Sequence, residues 1–447
     1  MQSIFHPDVL FGLDPMWTST ILLVVVYVVI ITERVNRAII ALLGAGLMIQ
    51  FGVLDQTEAV KGIDFNTIAL LTGMMLLVSV SRKSGMFQFV AIWSAKRAKA
   101  VPWRVMLMLS VTTAVLSAFL DNVTTVLLIV PVTLAVTKAL DVPPFPFLFS
   151  EVLASNIGGT ATLIGDPPNI LIGTQAKLSF DEFVIHLAPA IVLVLVVQAV
   201  MTHLVWGQKL RATAEAEARV MAMNERDAIE DWRLLKQSLV ILALVMAAFV
   251  LARPLQLEPG TVAMFGAAVL MLLDTHEHHP AHQSARVTQT FNEVEWITIF
   301  FFIGLFIVVH GVEVGGLLQR LAELLVKATG GNKEITAYAI LWASAFLSAI
   351  VDNIPFVATM IPLIKSTAPA YGGLENIEPL WWALSLGACL GGNGTLIGAS
   401  ANLTVAGLAD REGIPFRFWT YTFYAFPMML VSIAICQIYV WLRYFYF

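Results

Sequence analysis

Two stretches of this chain set proton-holding and hydrogen-bonding groups inside otherwise apolar sequence. "LSAFLDNVTTVLLIVP" (116–131) and "LSAIVDNIPFVATMIP" (347–362) each carry an Asp-Asn pair among leucine, isoleucine and valine. An ionisable side chain at the centre of a bilayer costs at least about 2.5–3.5 kcal/mol and is a functional candidate by default. Asp121 and Asp352 are therefore expected to exchange protons. Asp166, in "GGTATLIGDPPN" (158–169), is a third candidate, although capping of the helix that begins at "PPN" explains it as well. Asparagine, threonine and glycine in such segments commonly mediate helix packing, so the carboxylates carry the functional reading. Glu151, His186, His203, His310 and Glu313 read as interfacial, near the ends of apolar runs.

The elements around these residues must be broken helices. Read as one helix, 104–136 measures about 50 Å, too long for a hydrocarbon core of roughly 30 Å. Split at Asp121–Asn122, it gives two arms of roughly 15 residues, suited to a re-entrant hairpin. Backbone that leaves the helix at that depth needs protein or a water-filled cavity to satisfy its N–H and C=O groups. Asp, Asn and Thr do this at a helix start, and Pro355 stands where a new helix can begin. "GGTATLIGDPPN" cannot continue a helix either, because consecutive prolines remove donors and clash with the preceding turn. A break at mid-depth exposes one positive and one negative helix end, which discontinuous transporter helices use to hold substrates and coupling ions.

Composition fixes the setting. The chain has 447 residues, 58% apolar and 13% charged, with a formal net charge of −5 and a mean hydropathy of +0.81. Apolar runs at 17–32, 38–54, 67–80, 187–206, 238–252 and 423–442 read as membrane-crossing helices. The first follows a leader without a basic n-region, so a retained helix is expected and not a signal peptide. No basic patch suited to nucleic acid is present. The cysteines, Cys389 and Cys436, match no CxxC spacing, and "THEHHPAH" (275–282) reads as a polar linker more readily than as a metal site. No cofactor or metal is expected, and no HExxH, GxSxG or P-loop motif points to an enzyme.

The polar motifs recur. A polar interval at 207–236 separates a first half (1–206) from a second (237–447). At an offset of 231, 116–131 and 347–362 agree at seven of sixteen positions, and "DFNTIALLTG" (64–73) meets "EWITIFFFIG" (295–304). At an offset of 233, 158–169 and 391–402 ("GGNGTLIGASAN") agree at seven of twelve. Such internal symmetry marks a transporter built from repeats. Hairpins are expected near 104–136 and 335–365, and broken helices near 146–176 and 380–411. Five crossings per half make the second half insert upside down. With both termini outside, most of the 26 lysines and arginines fall on the cytoplasmic side. The halves differ where Asp166 meets Ala399, Pro167–Pro168 meets Ser400–Ala401, and Asn156 meets Cys389. The first break is expected to carry the proton or ion chemistry, and the second to shape the pocket.

"SAFLDNVTTVLLIVPVT", "SNIGGTATLIGDPPN", "SAIVDNIPFVATMIPL" and "GNGTLIGASAN" resemble the ArsB/NhaD permease group of the ion transporter superfamily, which takes in arsenite efflux permeases, sodium/proton antiporters and the P protein. The resemblance implies an all-α polytopic protein with two inverted-topology repeats, each with a re-entrant hairpin and a broken transmembrane helix, working by elevator-like alternating access. It places Asn122, Thr124, Gly159, Thr160, Asn169, Asn353, Asn393, Thr395 and Asn402 around the substrate. The tips depart from the Ser-Asn-Thr tips of the dicarboxylate branch, and no arginine or lysine is evident at the site. The resulting expectation is proton-coupled efflux of arsenite or antimonite across the inner membrane, Asp121, Asp166 or Asp352 exchanging the protons, with sodium/proton antiport as the alternative and an anion channel a more distant one. A homodimer and an ATPase partner subunit are compatible with it.

Overall fold

The computed structural model describes residues 9–32, 34–276 and 279–446. Among them there is no β-strand, and seven helices are long and apolar enough to cross a membrane. The protein is an all-α polytopic membrane protein. Its first half runs through α1 (Pro15–Ile31), α2 (Arg37–Gln50), α3 (Gln56–Lys61), α4 (Phe65–Arg82), α5 (Met86–Arg97), α6 (Pro102–Phe119), α7 (Asn122–Leu140), α8 (Phe145–Thr160), α9 (Pro167–Ala176) and α10 (Phe180–Thr202). A linker bearing α11 (Ala214–Met221) leads to α12 (Trp232–Leu251), α13 (Pro259–Thr275), α14 (Pro280–Asn292), α15 (Trp296–Gly315), α16 (Leu317–Ala328), α17 (Lys333–Ile350), α18 (Asn353–Thr367), α19 (Glu378–Gly391), α20 (Ser400–Arg411) and α21 (Phe418–Trp441). Glu277 and His278 of the histidine-rich stretch lie outside the described residues.

Local chemistry sets the starts and stops. Asp14, Asn36, Asp64, Asp231 and Asn332 each accept a backbone N–H in the first turn of the helix that follows, which satisfies donors that have no intrahelical partner. α6 ends where Leu120 turns extended (φ −123°, ψ 166°), and α17 ends the same way at Val351 (φ −123°, ψ 144°). The hairpin break thus falls at Leu120–Asp121, one residue before the expected point. The arms are also longer than expected in the first half, 18 and 19 residues in α6 and α7, against 18 and 15 in α17 and α18.

Arm length alone would let α6 and α7 each cross a membrane; their contacts make them a hairpin. Val105 near the start of α6 and Val136 and Leu140 near the end of α7 join one apolar cluster with Leu210 and Val220 of the linker. Arg219 Nε of the linker donates to the carbonyl of Ala139 (3.1 Å). The open end of this hairpin therefore lies on the linker side, with the tip inward. The second hairpin opens on the other side, where Thr336 shares a hydrogen bond with Tyr371 (2.6 Å) and Lys333 Nζ donates to the Asn376 carbonyl (3.1 Å). α10 joins the two sides: His186 near its start meets Tyr444 beyond α21, and Trp206 past its end meets Phe145 and Tyr424.

Packing repeats the sequence symmetry. Gly73 of α4 lies against the backbone of Ala263 in α13, and Gly304 of α15 against that of Ala41 in α2. Gly158 of α8 abuts Ala114 in α6, and Gly391 of α19 abuts Ala345 in α17. Small residues at these crossings let helix backbones approach closely in lipid, where no hydrophobic force distinguishes a partner helix from an acyl chain. The two hairpins also exchange neighbours across the halves, α18 packing on α9 and α7 on α20.

Candidate functional site

Both breaks are built by the same ties. Ser117 Oγ donates to the Ser155 carbonyl (2.7 Å), and Ser348 Oγ to the Ala388 carbonyl (2.6 Å). Thr162 Oγ1 donates to the Ala118 carbonyl (2.5 Å), and Thr395 Oγ1 to that of Ala349. Asn169 Nδ2 donates to the carbonyls of Thr160 (3.0 Å) and Thr162 (2.9 Å), and Asn402 Nδ2 to those of Gly392 (2.8 Å) and Thr395 (2.9 Å). Carbonyls left free where α8 and α19 unwind thus find amide donors one turn into the next helix. Gly159 permits the closure, because a Cβ there would lie 2.4 Å from the Gly165 oxygen.

The remaining amide atoms meet at the centre. Asn122 Nδ2 donates to Asn156 Oδ1 (3.0 Å). Asn156 Nδ2 donates to Asn393 Oδ1 (2.8 Å) and Asn402 Oδ1 (2.9 Å). On the other side, Ser385 Oγ (2.6 Å) and Cys389 Sγ (3.4 Å) donate to Asn169 Oδ1. Asn156 and Cys389 are repeat counterparts, and each reaches the asparagine of the opposite half's break. Thr160 Oγ1 bonds its own helix at the Asn156 carbonyl (2.7 Å), and Asn393 Nδ2 reaches the Leu153 carbonyl (3.5 Å).

The three aspartates have different surroundings. Asp121 caps α7: Oδ1 accepts the Thr124 N–H (2.8 Å) and Oδ2 the Thr124 hydroxyl (2.5 Å), which commits Thr124 to the tip. Asp352 Oδ2 accepts Arg37 Nη1 (2.7 Å) and Ser400 Oγ (3.3 Å). Arg37 also donates to Ser400 Oγ (3.0 Å) and, through Nη2, to Thr298 Oγ1 (3.2 Å), while its guanidinium lies over the Phe301 ring (5.1 Å). The expectation that no arginine stands at the site is thus corrected, because α2 brings one in from a distant part of the chain. Asp166 is fully buried, makes no cap, and meets only Asn353 Nδ2 at 3.5 Å through Oδ1. Its Oδ2 has no hydrogen-bond partner among the described residues; the neighbouring Cys389 thiol is a weak donor at best. The capping reading of Asp166 therefore fails.

Asp121, Asn122, Asp166, Asn353, Glu295, Arg37 and Ser400 line one small pocket where the two tips meet the two breaks. A cavity of about 350 Å³ borders the Arg37–Asp352 pair on the linker side, and one of about 760 Å³ opens between α3, α9, α10 and α13 on the other. Among the described residues no group of His, Cys, Asp and Glu is arranged to hold a metal ion.

The sequence profile of the CitMHS family, described as citrate transporter, matches residues 27–387. The chain belongs to this family. An uncharacterized transporter of Mycobacterium tuberculosis is 43% identical over 426 residues, covering 94% of this chain and 97% of that protein. The P protein of Homo sapiens is 33% identical over 505 residues, covering 94% of this chain and 59% of the P protein. A crystal structure of the YdaH transporter of Alcanivorax borkumensis, described as having an unusual topology, superposes with a TM-score of 0.62 at 15% identity, covering 99% of each chain. These likenesses agree with the permease-group resemblance of the motifs, and this CitMHS-family chain is a multi-pass membrane transporter.

Several residues of the candidate site in this CitMHS-family chain escaped the motif reading. Arg37 lies in α2, outside the repeated motifs, whereas Glu295 and Thr298 stand at the start of α15 within the repeated 295–304 stretch but carry no tip or break signature; all three reach the tips through tertiary packing. Asn156 and Ser385 sit within α8 and α19, away from the Asp-Asn tips; the Asn156–Cys389 mismatch between repeats was the available signal. Glu151, expected at an interface, is buried at 1% exposure within α8, because α6, α7 and α10 surround that helix.

Proposed function

We propose that this transporter couples inward proton movement to export of a small uncharged polar solute, arsenite or antimonite, across the inner (plasma) membrane. The observation that carries the reading is Asp166, a fully buried carboxylate with one unpaired oxygen inside a lining of amides and hydroxyls. An ionised carboxylate cannot stay there without a counter-charge. Arg37, the one arginine lining the pocket among the described residues, is already bonded to Asp352. A proton on Asp166 supplies the neutralisation, and its loss and return supply the coupling. Asp121 and Asp352, held by Thr124 and Arg37, position the tips. The asparagine amides suit a neutral trihydroxide. Citrate, in the family's description, would bring carboxylates to a pocket without a free cation, so its transport is not carried over to this chain.

Alternation would move the hairpins, broken helices, α10 and α21 as one body against α1, α2, α4, α12, α13 and α15, the repeats spanning 1–206 and 237–447. The linker then faces the cytoplasm and both termini the outside. Sodium/proton antiport is the second reading, favoured by the gathering of Asp121, Asp166 and Glu295 about one pocket.

Reconstituted vesicles under an imposed pH gradient test the proposal. Arsenite or antimonite accumulates in sodium-free buffer, and Asp166→Asn abolishes accumulation while leaving solute exchange at equal pH. Proton movement that requires sodium and ignores arsenite supports the second reading and removes the first.

A further inference from the structure

Glu151 is a buried acid for which the proposed cycle has no use. Thr133 Oγ1 of α7 donates to its Oε1 (2.5 Å), and Oε2 has no hydrogen-bond partner among the described residues. The titratable groups of the helices packed on α8 are Arg104 in α6, Lys138 in α7, Asp181, Glu182 and His186 in α10, Glu378 and Cys389 in α19, and Asp410 and Arg411 in α20. None of them is hydrogen-bonded to Glu151, whose carboxyl takes the Thr133 hydroxyl as its partner among the described residues.

Its place in the fold is specific. One helical turn further along α8, on the same face, Ser155 Oγ donates to the carbonyl of Asn122 at the first tip (2.9 Å). On α7, Thr125 donates to the carbonyl of Asp121 (2.9 Å), and Thr133 lies two turns further from the tip. Glu151 thus stands between the central pocket and the linker-side opening of the first hairpin. The preceding residue, Ser150, shares a hydrogen bond with Ser110 (2.7 Å), and both line a cavity of about 390 Å³ with Gln198, Thr202 and His203. The repeat counterpart of Glu151 is Leu384, also buried, so the acid serves only the first half. Packing alone would be met by leucine there, and was met so in the second half.

We propose that Glu151 is a second proton-carrying residue, taking a proton from the linker side onto Oε2 and releasing it in the step that loads or unloads the central site. The inference rests on the proton-coupled reading above. Only an O–H bond is made and broken, the proton coming from and returning to water or to Asp166. The neutral acid satisfies Thr133 and needs no counter-ion, whereas the ionised acid lacks one. Charge beside the first hairpin therefore changes with the occupancy of this oxygen, in addition to that of Asp166.

Two measurements test it. Infrared difference spectra of the purified protein between acidic and alkaline pH show protonated-carboxyl carbonyl intensity of which Glu151→Gln removes one component and Asp166→Asn another. In vesicles, Glu151→Gln lowers pH-driven accumulation about tenfold or more and flattens its pH profile, while exchange at equal pH continues. Thr133→Val, a milder change, displaces the pH midpoint and keeps the maximum rate. An unaltered infrared spectrum and pH profile in Glu151→Gln would overturn the role of Glu151. Loss of pH dependence in neither Glu151→Gln nor Asp166→Asn would instead remove the proton-coupled reading itself.

Discussion

The guanidinium of Arg37 bonds three elements at once, the tip residue Asp352, Ser400 in α20 and Thr298 in α15. Its side chain is 27% exposed and that of Asp352 17%, so the pair is partly desolvated and removal of one partner leaves a partly buried charge uncompensated. Arg37→Gln leaves Asp352 with Ser400 alone and is expected to lower stability by about 1–3 kcal/mol, read as a fall in the midpoint of thermal unfolding in detergent. Arg37→Lys keeps the charge and loses the planar fork that reaches Thr298 and Asp352 together; it should recover part of the stability and little of the transport rate. Adding Asp352→Asn to Arg37→Gln should recover much of the loss, and strict additivity would show that the two side chains do not interact. None of this was visible in sequence, where the partners stand 315 residues apart. The tip aspartates were visible, because a carboxylate in an apolar run is conspicuous without any partner. What sequence could not tell was which aspartate lacks one, since that depends on where Arg37 and Thr124 reach.

At the scale of elements, the repeat was legible wherever a local rule forced it: Gly-Gly before a break, Asp-Asn at a tip, proline at a helix start. Arm lengths were not, because α6 extends to Pro102 and α7 to Leu140 by packing on the linker, which no periodicity announces. The crossings of α6 with α8 and of α17 with α19 make a sharper prediction. A Cβ on Gly158 would lie 2.1 Å from the Ala114 oxygen, and one on Gly391 2.5 Å from that of Ala345, whereas Gly46 in α2 has nothing within 4 Å. Gly158→Ala and Gly391→Ala should each cost about 1–3 kcal/mol by forcing backbones apart. Gly46→Ala should stabilise by about 0.5–1 kcal/mol, as an unhindered helical glycine does; equal unfolding midpoints for all three would contradict the close approach. The linker adds a pH-dependent element. Lys96 Nζ donates to Glu225 Oε2 (2.5 Å), and this bond holds the Glu225 carboxyl below the usual carboxylate range. Its contribution to linker docking is present above the ordinary glutamate value and is lost as pH falls through the lowered one. Glu225→Gln should raise hydrogen exchange in the linker at neutral pH and leave it unchanged at strongly acidic pH, where wild type and variant converge.

For the whole molecule, unequal chemistry in the two inverted halves would give the proposed cycle a direction. The second half fastens its tip to the scaffold through Arg37, and the first half holds the unpaired acids, Asp166 and Glu151. Away from the linker, Gln175 Nε2 at the end of α9 donates to Asp64 Oδ2 ahead of α4 (2.8 Å), and Lys365 Nζ of α18 donates to Gln175 Oε1 (3.2 Å). A rigid-body excursion of the hairpins and broken helices must break the Asp64–Gln175 bond, because its partners ride on opposite bodies. Motion confined to the tips would leave it intact. Cysteines at positions 64 and 175, joined by a short cleavable thiol cross-linker, therefore separate the two mechanisms, and the native Cys389 and Cys436 are buried and react little. The expected result is loss of transport on cross-linking, with solute still bound from one side, and full return on cleavage. Transport that continues across the intact cross-link would show that the bodies do not move apart, and would confine alternation to the tips at Asp121 and Asp352.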